Sequence, residues 1–191
     1  DEVIQRLDQL VIDSGNNPRV RAEAEMVTCV MHAMRGRFDR ARAIGADSRQ
    51  HLADVGHRLW LANLAQSTAR VEELAGDLDA AEAEYELSRA ALEALGESPY
   101  LSTVAGMHAR LLARRGKWEA AAEALELARR HGAPDDLMTQ SLISETQALR
   151  AAAEGHSRTA RSELDSAFGL MTGAYAPEDL GEAHVVAADV E

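Results

Sequence analysis

Histidine, cysteine and acidic side chains are the residues of this chain that could carry out catalysis or hold a metal ion. No two of the seven histidines lie four residues apart, the spacing at which one helix face presents two imidazoles to one metal. We therefore expect them at the surface. The single cysteine, Cys29, excludes a thiolate cage and a disulfide framework, and it is expected to be buried. Seven acidic residues between Glu72 and Glu86 indicate a solvated surface.

Other common signs of chemistry are absent from the sequence. The chain contains no G-x-S-x-G nucleophile motif, no P-loop and no G-x-G-x-x-G phosphate-binding loop. Its net charge of −12 argues against a surface that binds nucleic-acid phosphates. No apolar run approaches the roughly 18 residues of a membrane span, and no signal peptide opens the chain. We expect no enzymatic activity, no cofactor, no nucleic-acid or membrane partner, and a cytoplasmic location.

The elements that position these residues repeat along the chain. Glycine-centred segments recur at Gly36, Gly76, Gly116 and Gly155, at intervals of 40, 40 and 39 residues. Periods of this size are typical of helical arrays. Small residues stand at fixed distances from these glycines. They form three columns, namely Cys29, Ala69, Ala109 and Ala148; Ala41, Ala81, Ala121 and Ala160; and Ser48, Ser88, Ala128 and Ala167.

Each glycine-centred segment predicts a helical hairpin. The glycine ends the first helix in a left-handed conformation, and the small columns allow two helix backbones to approach closely. Gly56, Gly96 and Gly132 are predicted to end the second helices, and Gly15 is predicted to close the first helix of the chain. Proline is predicted at the first helical position at Pro18, Pro99, Pro134 and Pro177, with Asn17 and Ser98 as N-caps. The predicted helices are 1–14, 18–35, 38–55, 58–75, 78–95, 99–115, 118–131, 135–154, 157–172 and a last one from about 177.

These columns resemble the tetratricopeptide (TPR) repeat over about residues 18–172. The resemblance rests on the small residue before the turn glycine, on a bulky residue after it (Phe38, Leu78 and Trp118, with Ser157 in the fourth repeat) and on two small columns in the second helix. The unit of 40 residues is longer than the usual TPR unit of about 34. The family's early tryptophan or leucine and its closing proline are missing. The resemblance implies an all-α solenoid whose first helices line a concave groove.

The resemblance also divides the chain, and it suggests a setting. The whole of 1–191 is expected to be one solenoid fragment, made of the segments 1–17, 18–56, 57–96, 97–133, 134–173 and 174–191. The first segment would be the second helix of a preceding unit, and the last would be the first helix of a following unit. The chain is similar in style to the helical arrays of large actinobacterial regulators, which combine an ATPase module with a LuxR-type DNA-binding domain or a nucleotide cyclase domain.

Spacing from the turn glycines identifies candidate groove residues on the first helices. Arg70 and Arg110 stand six residues before successive turn glycines, so their guanidinium groups could converge on one acidic group. Pairing of each arginine with a nearby acid such as Glu73 is the alternative. The full set of candidate groove residues is Met26, Val30, Asn63, Gln66, Ser67, Arg70, Thr103, Met107 and Arg110.

The sequence therefore predicts an interaction module within a larger bacterial signalling or transcriptional regulator. It would bind a peptide or helix that has one acidic and one apolar end, or another part of its own parent chain. A self-associating structural scaffold is the main alternative, and a small-ligand pocket is a further one.

Overall fold

The chain folds entirely into helices in the parts that its computed structural model describes, residues 2–13, 17–174 and 177–190. This confirms the predicted all-α class, and no β-strand occurs in those ranges. No helix within them combines the length and the apolar character that a bilayer crossing requires. The ten helices are α1 Glu2–Asp13, α2 Pro18–Ala33, α3 Phe38–Asp54, α4 Arg58–Ala75, α5 Leu78–Leu95, α6 Ser98–Arg114, α7 Trp118–His131, α8 Leu137–Ala153, α9 Ser157–Ala174 and α10 Pro177–Val190.

The turn glycines end the helices as the repeat predicts. Gly76 has a φ of +82°, and its N–H donates to the carbonyl oxygen of Glu73 at 3.1 Å. The next N–H, that of Asp77, reaches back to the carbonyl oxygen of Glu72 at 3.0 Å. This pair of bonds satisfies carbonyl groups that the helix end would otherwise leave open. Positive φ values also occur at Gly36, Gly56, Gly96, Gly116 and Gly155.

The connection between α7 and α8 differs from the prediction. Gly132 does end α7, but its φ is −76°, not positive. A larger residue is excluded there because its Cβ would lie 2.8 Å from the Thr139 methyl group. Pro134 lies in the turn, not at the first helical position. Asp136 is the N-cap of α8 and accepts a hydrogen bond from the Thr139 N–H at 3.1 Å.

Of the two predicted N-caps, Asn17 is confirmed and Ser98 is wrong. Asn17 caps α2, since its side chain accepts a hydrogen bond from the Val20 N–H at 3.3 Å. The N-cap of α6 is Glu97, and the predicted cap, Ser98, instead forms a hydrogen bond with His131 Nδ1 at 3.0 Å. Gly15, predicted to close the first helix, lies outside the described residues.

The helices form two compact units, residues 1–96 and residues 97–191. In the first unit α2 packs against α1, α3 and α4, and α4 packs against α5. One apolar cluster of this unit surrounds Cys29 and Val71, and another joins Ala22 and Leu52 to Leu64. Consecutive helices therefore pair as hairpins, and the first helices α2 and α4 of two hairpins lie against each other.

The second unit repeats this arrangement. In it α6 packs against α7 and α8, and α8 packs against α9 and α10. Its core runs from Ala105 and Ala109 through Leu125 and Leu149 to Val186.

The small columns lie inside these units, as predicted. The alanines five residues after the turn glycines are at most 3% exposed, and Ser48, Ser88, Ala128 and Ala167 have no exposed surface. Cys29 is fully buried like the alanines of its column. The small columns thus belong to the buried interior of each unit, where small side chains let neighbouring helices pack closely.

Candidate functional site

Six of the predicted groove residues belong to the first unit, and we call the surface that they form on its first helices the α2–α4 face. Met26 and Val30 are half-buried residues of α2, and each packs at the edge of an apolar cluster. Their neighbour Val27 is 50% exposed. The α4 members are Asn63, Gln66, Ser67 and Arg70.

Asn63 holds the deepest polar group of the α2–α4 face. The residue is 6% exposed, and its Oδ1 accepts no hydrogen bond from the described part of the chain. A buried carbonyl oxygen without a donor costs about 1–3 kcal/mol.

Arg70 lies next to a carboxylate that is already engaged. Its Nη1 is 3.8 Å from Glu73 Oε2, a distance longer than a hydrogen bond, and the arginine side chain is 19% exposed. The Glu73 side chain is only 2% exposed, and its Oε1 accepts a hydrogen bond from the Tyr85 hydroxyl at 2.5 Å. The structure thus places Arg70 in a loose ion pair with the acid that the sequence offered as its alternative partner.

Arg110 in the second unit is closed off from solvent. It is 3% exposed, and its Nη1 donates to Glu145 Oε2 at 2.9 Å, while Glu145 Oε1 accepts a hydrogen bond from the Ser141 hydroxyl at 3.1 Å. Its partner is therefore a nearby acid, and as placed here Arg110 offers no charge to a ligand. The other two groove residues of this unit, Thr103 and Met107, are half-buried, and the Thr103 hydroxyl is 3.3 Å from that of Thr139.

The sequence pattern contains a signal for the Arg110 pair. Glu145 stands ten residues before its turn glycine, and Arg110 stands six residues before the preceding one. Since α6 and α8 pack side by side, one helical turn separates these two positions, so an acid and a base there can meet. The spacing could have identified the pair before the structure did.

Two expectations about polar residues were wrong. His32 and His108 are buried, at 6% and 5% exposure, although all histidines were expected at the surface. The acidic residues between Glu72 and Glu86 are not simply solvated, because three of them link helices, among them Glu73 through its hydrogen bond from Tyr85. Glu72 accepts hydrogen bonds from Arg42, the shortest at 2.5 Å, and Glu84 accepts from Arg49 at 2.7 Å.

Cys29 has the environment of a core residue. Burial raises the pKa of its thiol from 9.0 to about 12, and the negative charge of Glu25 acts in the same direction. A thiol with this pKa remains protonated near neutral pH, so it is neither a nucleophile nor a metal ligand in this state. The prediction that Cys29 serves packing is confirmed by its complete burial.

Comparisons with known proteins agree with the fold. No protein-family model matches the chain, and no curated protein matches it either. Among solved structures, the crystal structure of BtubC (BKLC) from P. vanneervenii is similar, with a TM-score of 0.69 and 17% sequence identity over 99% of this chain and 82% of that one. At this identity the likeness shows a shared helical fold and nothing about a ligand.

Proposed function

We propose that this chain is a TPR-like interaction module that binds a peptide or helix of another protein, or of its own parent chain, on the surface of its first helices. The proposal includes a solenoid arrangement of the hairpins and a role within a larger bacterial signalling or transcriptional regulator. Its support is the recurring hairpin pattern together with the TPR-like columns of small residues, which are buried.

The observation that carries the proposal is the exposure of Val27 on the α2–α4 face. An apolar side chain that is half exposed beside half-buried Met26 and Val30 favours contact with an apolar group of a partner. The helix packed against α2 carries the half-buried polar residues Gln66 and Ser67. One apolar spot next to several hydrogen-bonding groups is the usual anatomy of a peptide-binding surface.

The same face suggests the chemistry of the ligand. The Arg70 side chain is 19% exposed, so a ligand carboxylate can reach its guanidinium group and form a bidentate contact there. The expected ligand is therefore a segment with one apolar side chain for Val27 and one acidic group for Arg70.

A matched pair of variants tests this surface. Val27 on α2 and Leu87 on the second helix α5 are 50% and 51% exposed, respectively, and both are aliphatic. Peptides selected from a displayed library against the immobilised chain would be titrated, by fluorescence anisotropy, with wild type, Val27→Glu and Leu87→Glu. We expect at least about a tenfold loss of affinity for Val27→Glu, because a charge would replace the apolar contact with the peptide. This loss corresponds to about 1.4 kcal/mol of binding free energy. We expect no change for Leu87→Glu.

Circular dichroism would first establish that both variants are folded like wild type. Equal affinity of wild type and Val27→Glu for every selected peptide would rule out the α2–α4 face as the binding surface. Failure to enrich any peptide would count against an interaction module of this kind.

A further inference from the structure

Glu73 and Tyr85 are polar residues at positions of the repeat that are small or apolar in the other hairpins. Glu73 stands three residues before its turn glycine, where the other repeats have alanine, namely Ala33, Ala113 and Ala152. Tyr85 stands nine residues after the same glycine, where the other repeats have Gly45, Leu125 and Leu164. The hairpin of α4 and α5 thus carries an acid and a hydroxyl together, although the packing of the other hairpins requires neither.

These two side chains meet inside the first unit. Tyr85 has no exposed surface, the Glu73 side chain is 2% exposed, and the hydroxyl donates to Glu73 Oε1 at 2.5 Å. The other carboxylate oxygen, Oε2, accepts no hydrogen bond from the part of the chain that the structure describes. A buried carboxylate is costly without hydrogen bonds, so the Tyr85 hydroxyl is a donor that Glu73 needs.

Arg70, three residues earlier on α4, lies just beyond hydrogen-bonding distance of the same carboxylate. Its Nη1 is 3.8 Å from Glu73 Oε2, and a movement of about 1 Å would join the two atoms in a hydrogen bond. Without the Tyr85 hydroxyl the carboxylate would move in this direction, because a guanidinium three residues away on a helix is a strong donor within reach. The tighter pair would then compete with an acidic group of a partner for Arg70.

We infer that Tyr85 is a positioning residue of the α2–α4 face. Its hydroxyl holds the Glu73 carboxylate back from Arg70, so that the guanidinium can bind an acidic side chain of the partner. The inference rests on the proposed function, and it adds a buried residue, outside the binding surface itself, that sets how strongly the surface attracts an acid. The hairpin of Arg110 has alanine and leucine at the two positions, and its arginine is paired with Glu145.

Tyr85→Phe tests the inference because it removes the hydroxyl and keeps the ring. For an acidic peptide selected against wild type, we expect about a tenfold loss of affinity, since the tighter Arg70–Glu73 pair must open before the peptide carboxylate binds. The same peptide with its acid replaced by the corresponding amide should bind wild type and Tyr85→Phe equally. Fluorescence anisotropy measures both affinities.

Glu73→Gln provides a rescue that a purely structural role of Tyr85 would not show. An amide carries no negative charge, so the double variant Tyr85→Phe, Glu73→Gln should bind the acidic peptide at least as tightly as wild type. The double variant Glu73→Ala, Tyr85→Leu, with the residues that the hairpin of α6 and α7 has there, should do the same, and it serves as the test if Tyr85→Phe does not fold. Double variants that bind the acidic peptide more weakly than wild type would overturn the inference.

The reactivity of Arg70 toward phenylglyoxal tests the inference without a peptide. Its rate, followed by peptide mass mapping, should fall in Tyr85→Phe and return to the wild-type value in Tyr85→Phe, Glu73→Gln. Arg58, an exposed arginine of the same helix, should react at a constant rate in all three proteins. If no peptide is enriched, the proposed function fails, and the Arg70 rates still decide the role of Tyr85. Equal Arg70 rates in wild type and Tyr85→Phe would overturn that role.

Discussion

Arg70 in the first unit and Arg110 in the second hold the same position of the repeat, yet they have different environments. The Arg70 side chain is 19% exposed and lies 3.8 Å from Glu73, three residues later on the same helix. The Arg110 side chain is 4% exposed and makes a 2.9 Å contact with Glu145 on the neighbouring first helix α8. Position in the repeat thus determines the helix face on which the arginine lies. The location of the nearest acid determines whether the arginine stays partly exposed or forms a buried ion pair.

The reason for the difference can be read from the neighbouring repeat. Glu145 stands ten residues before its turn glycine, and the residue at that position of the repeat after Arg70 is Gly106, which has no side chain. Arg70 has no acid at the corresponding sequence position, and it pairs within its own helix. A repeat therefore conserves its geometry while single residues decide between a surface charge and a buried ion pair.

The largest effect is expected from Glu145→Ala in the second unit. Removal of the carboxylate leaves the guanidinium of Arg110 buried next to an empty space, and loss of one member of a buried pair costs about 3–5 kcal/mol. Urea unfolding followed by circular dichroism would measure the free energy of unfolding. The double variant Arg110→Met, Glu145→Leu should recover most of it, because it leaves no buried charge behind. A loss below about 1 kcal/mol for Glu145→Ala would mean that the pair is not buried in solution.

Cys29 extends the comparison of the two arginines to a buried group whose neighbour opposes its charge. Its thiolate form and the nearby Glu25 carboxylate are both negative, whereas each arginine has an acid beside it. The thiol ionises near 9.0 when it is exposed and near 12 when it is folded, so above pH 9 the unfolded chain binds fewer protons than the folded chain. The stability that the protonated thiol provides is complete below pH 9 and is lost as pH rises toward 12.

We expect the free energy of unfolding to fall by about 1.4 kcal/mol per pH unit over this window because of Cys29. Cys29→Ala, the residue found in the other repeats at this position, should lack that contribution. The measurement is the difference between wild type and variant across pH 8 to about 11, since the difference cancels other groups that titrate there. Parallel curves for the two proteins would contradict a raised pKa for this thiol.

The smallest effect is expected from Arg70→Met in the first unit. A partly exposed ion pair at 3.8 Å contributes at most about 1 kcal/mol, and the Glu73 carboxylate keeps its hydrogen bond from Tyr85. Urea unfolding of this variant beside Glu145→Ala compares the two positions directly. A loss of about 3 kcal/mol or more would remove the distinction between the two arginines.

Much of the fold was predictable because it depends on local chemistry. Glycine permits the left-handed turn at Gly76, and helix formers surround it, so the helix ends followed from spacing alone. The buried columns of small residues followed from the same period. The turn before α8 could not be predicted in this way. Gly132 is needed there because an added Cβ would clash with Thr139, a residue that comes close only in the folded chain.

The candidate site was less predictable than the helices. Spacing placed Met26, Val30 and Arg70 on first helices, but it did not predict how deeply each side chain is buried. Burial decides whether a polar side chain can bind a partner or belongs to the core. His32 and His108 were assigned to the surface from residue type and Arg110 to the groove from its spacing, and all three are buried. Burial of a long polar side chain depends on contacts with a neighbouring helix, which a single column of the repeat does not contain.

The turn at Gly76 also bears on chirality. With a φ of +82°, the residue occupies the region of backbone space that mirrors the one preferred by L-amino acids. No atom outside its immediate neighbours would meet an added Cβ, so the obstacle to alanine there is handedness and not space. An L-alanine there would be strained by its backbone conformation alone. At Gly132, by contrast, φ is −76°, which suits L residues, and the obstacle is the clash of an added Cβ with Thr139. The glycines of one chain can thus be sorted by whether handedness or space excludes a side chain.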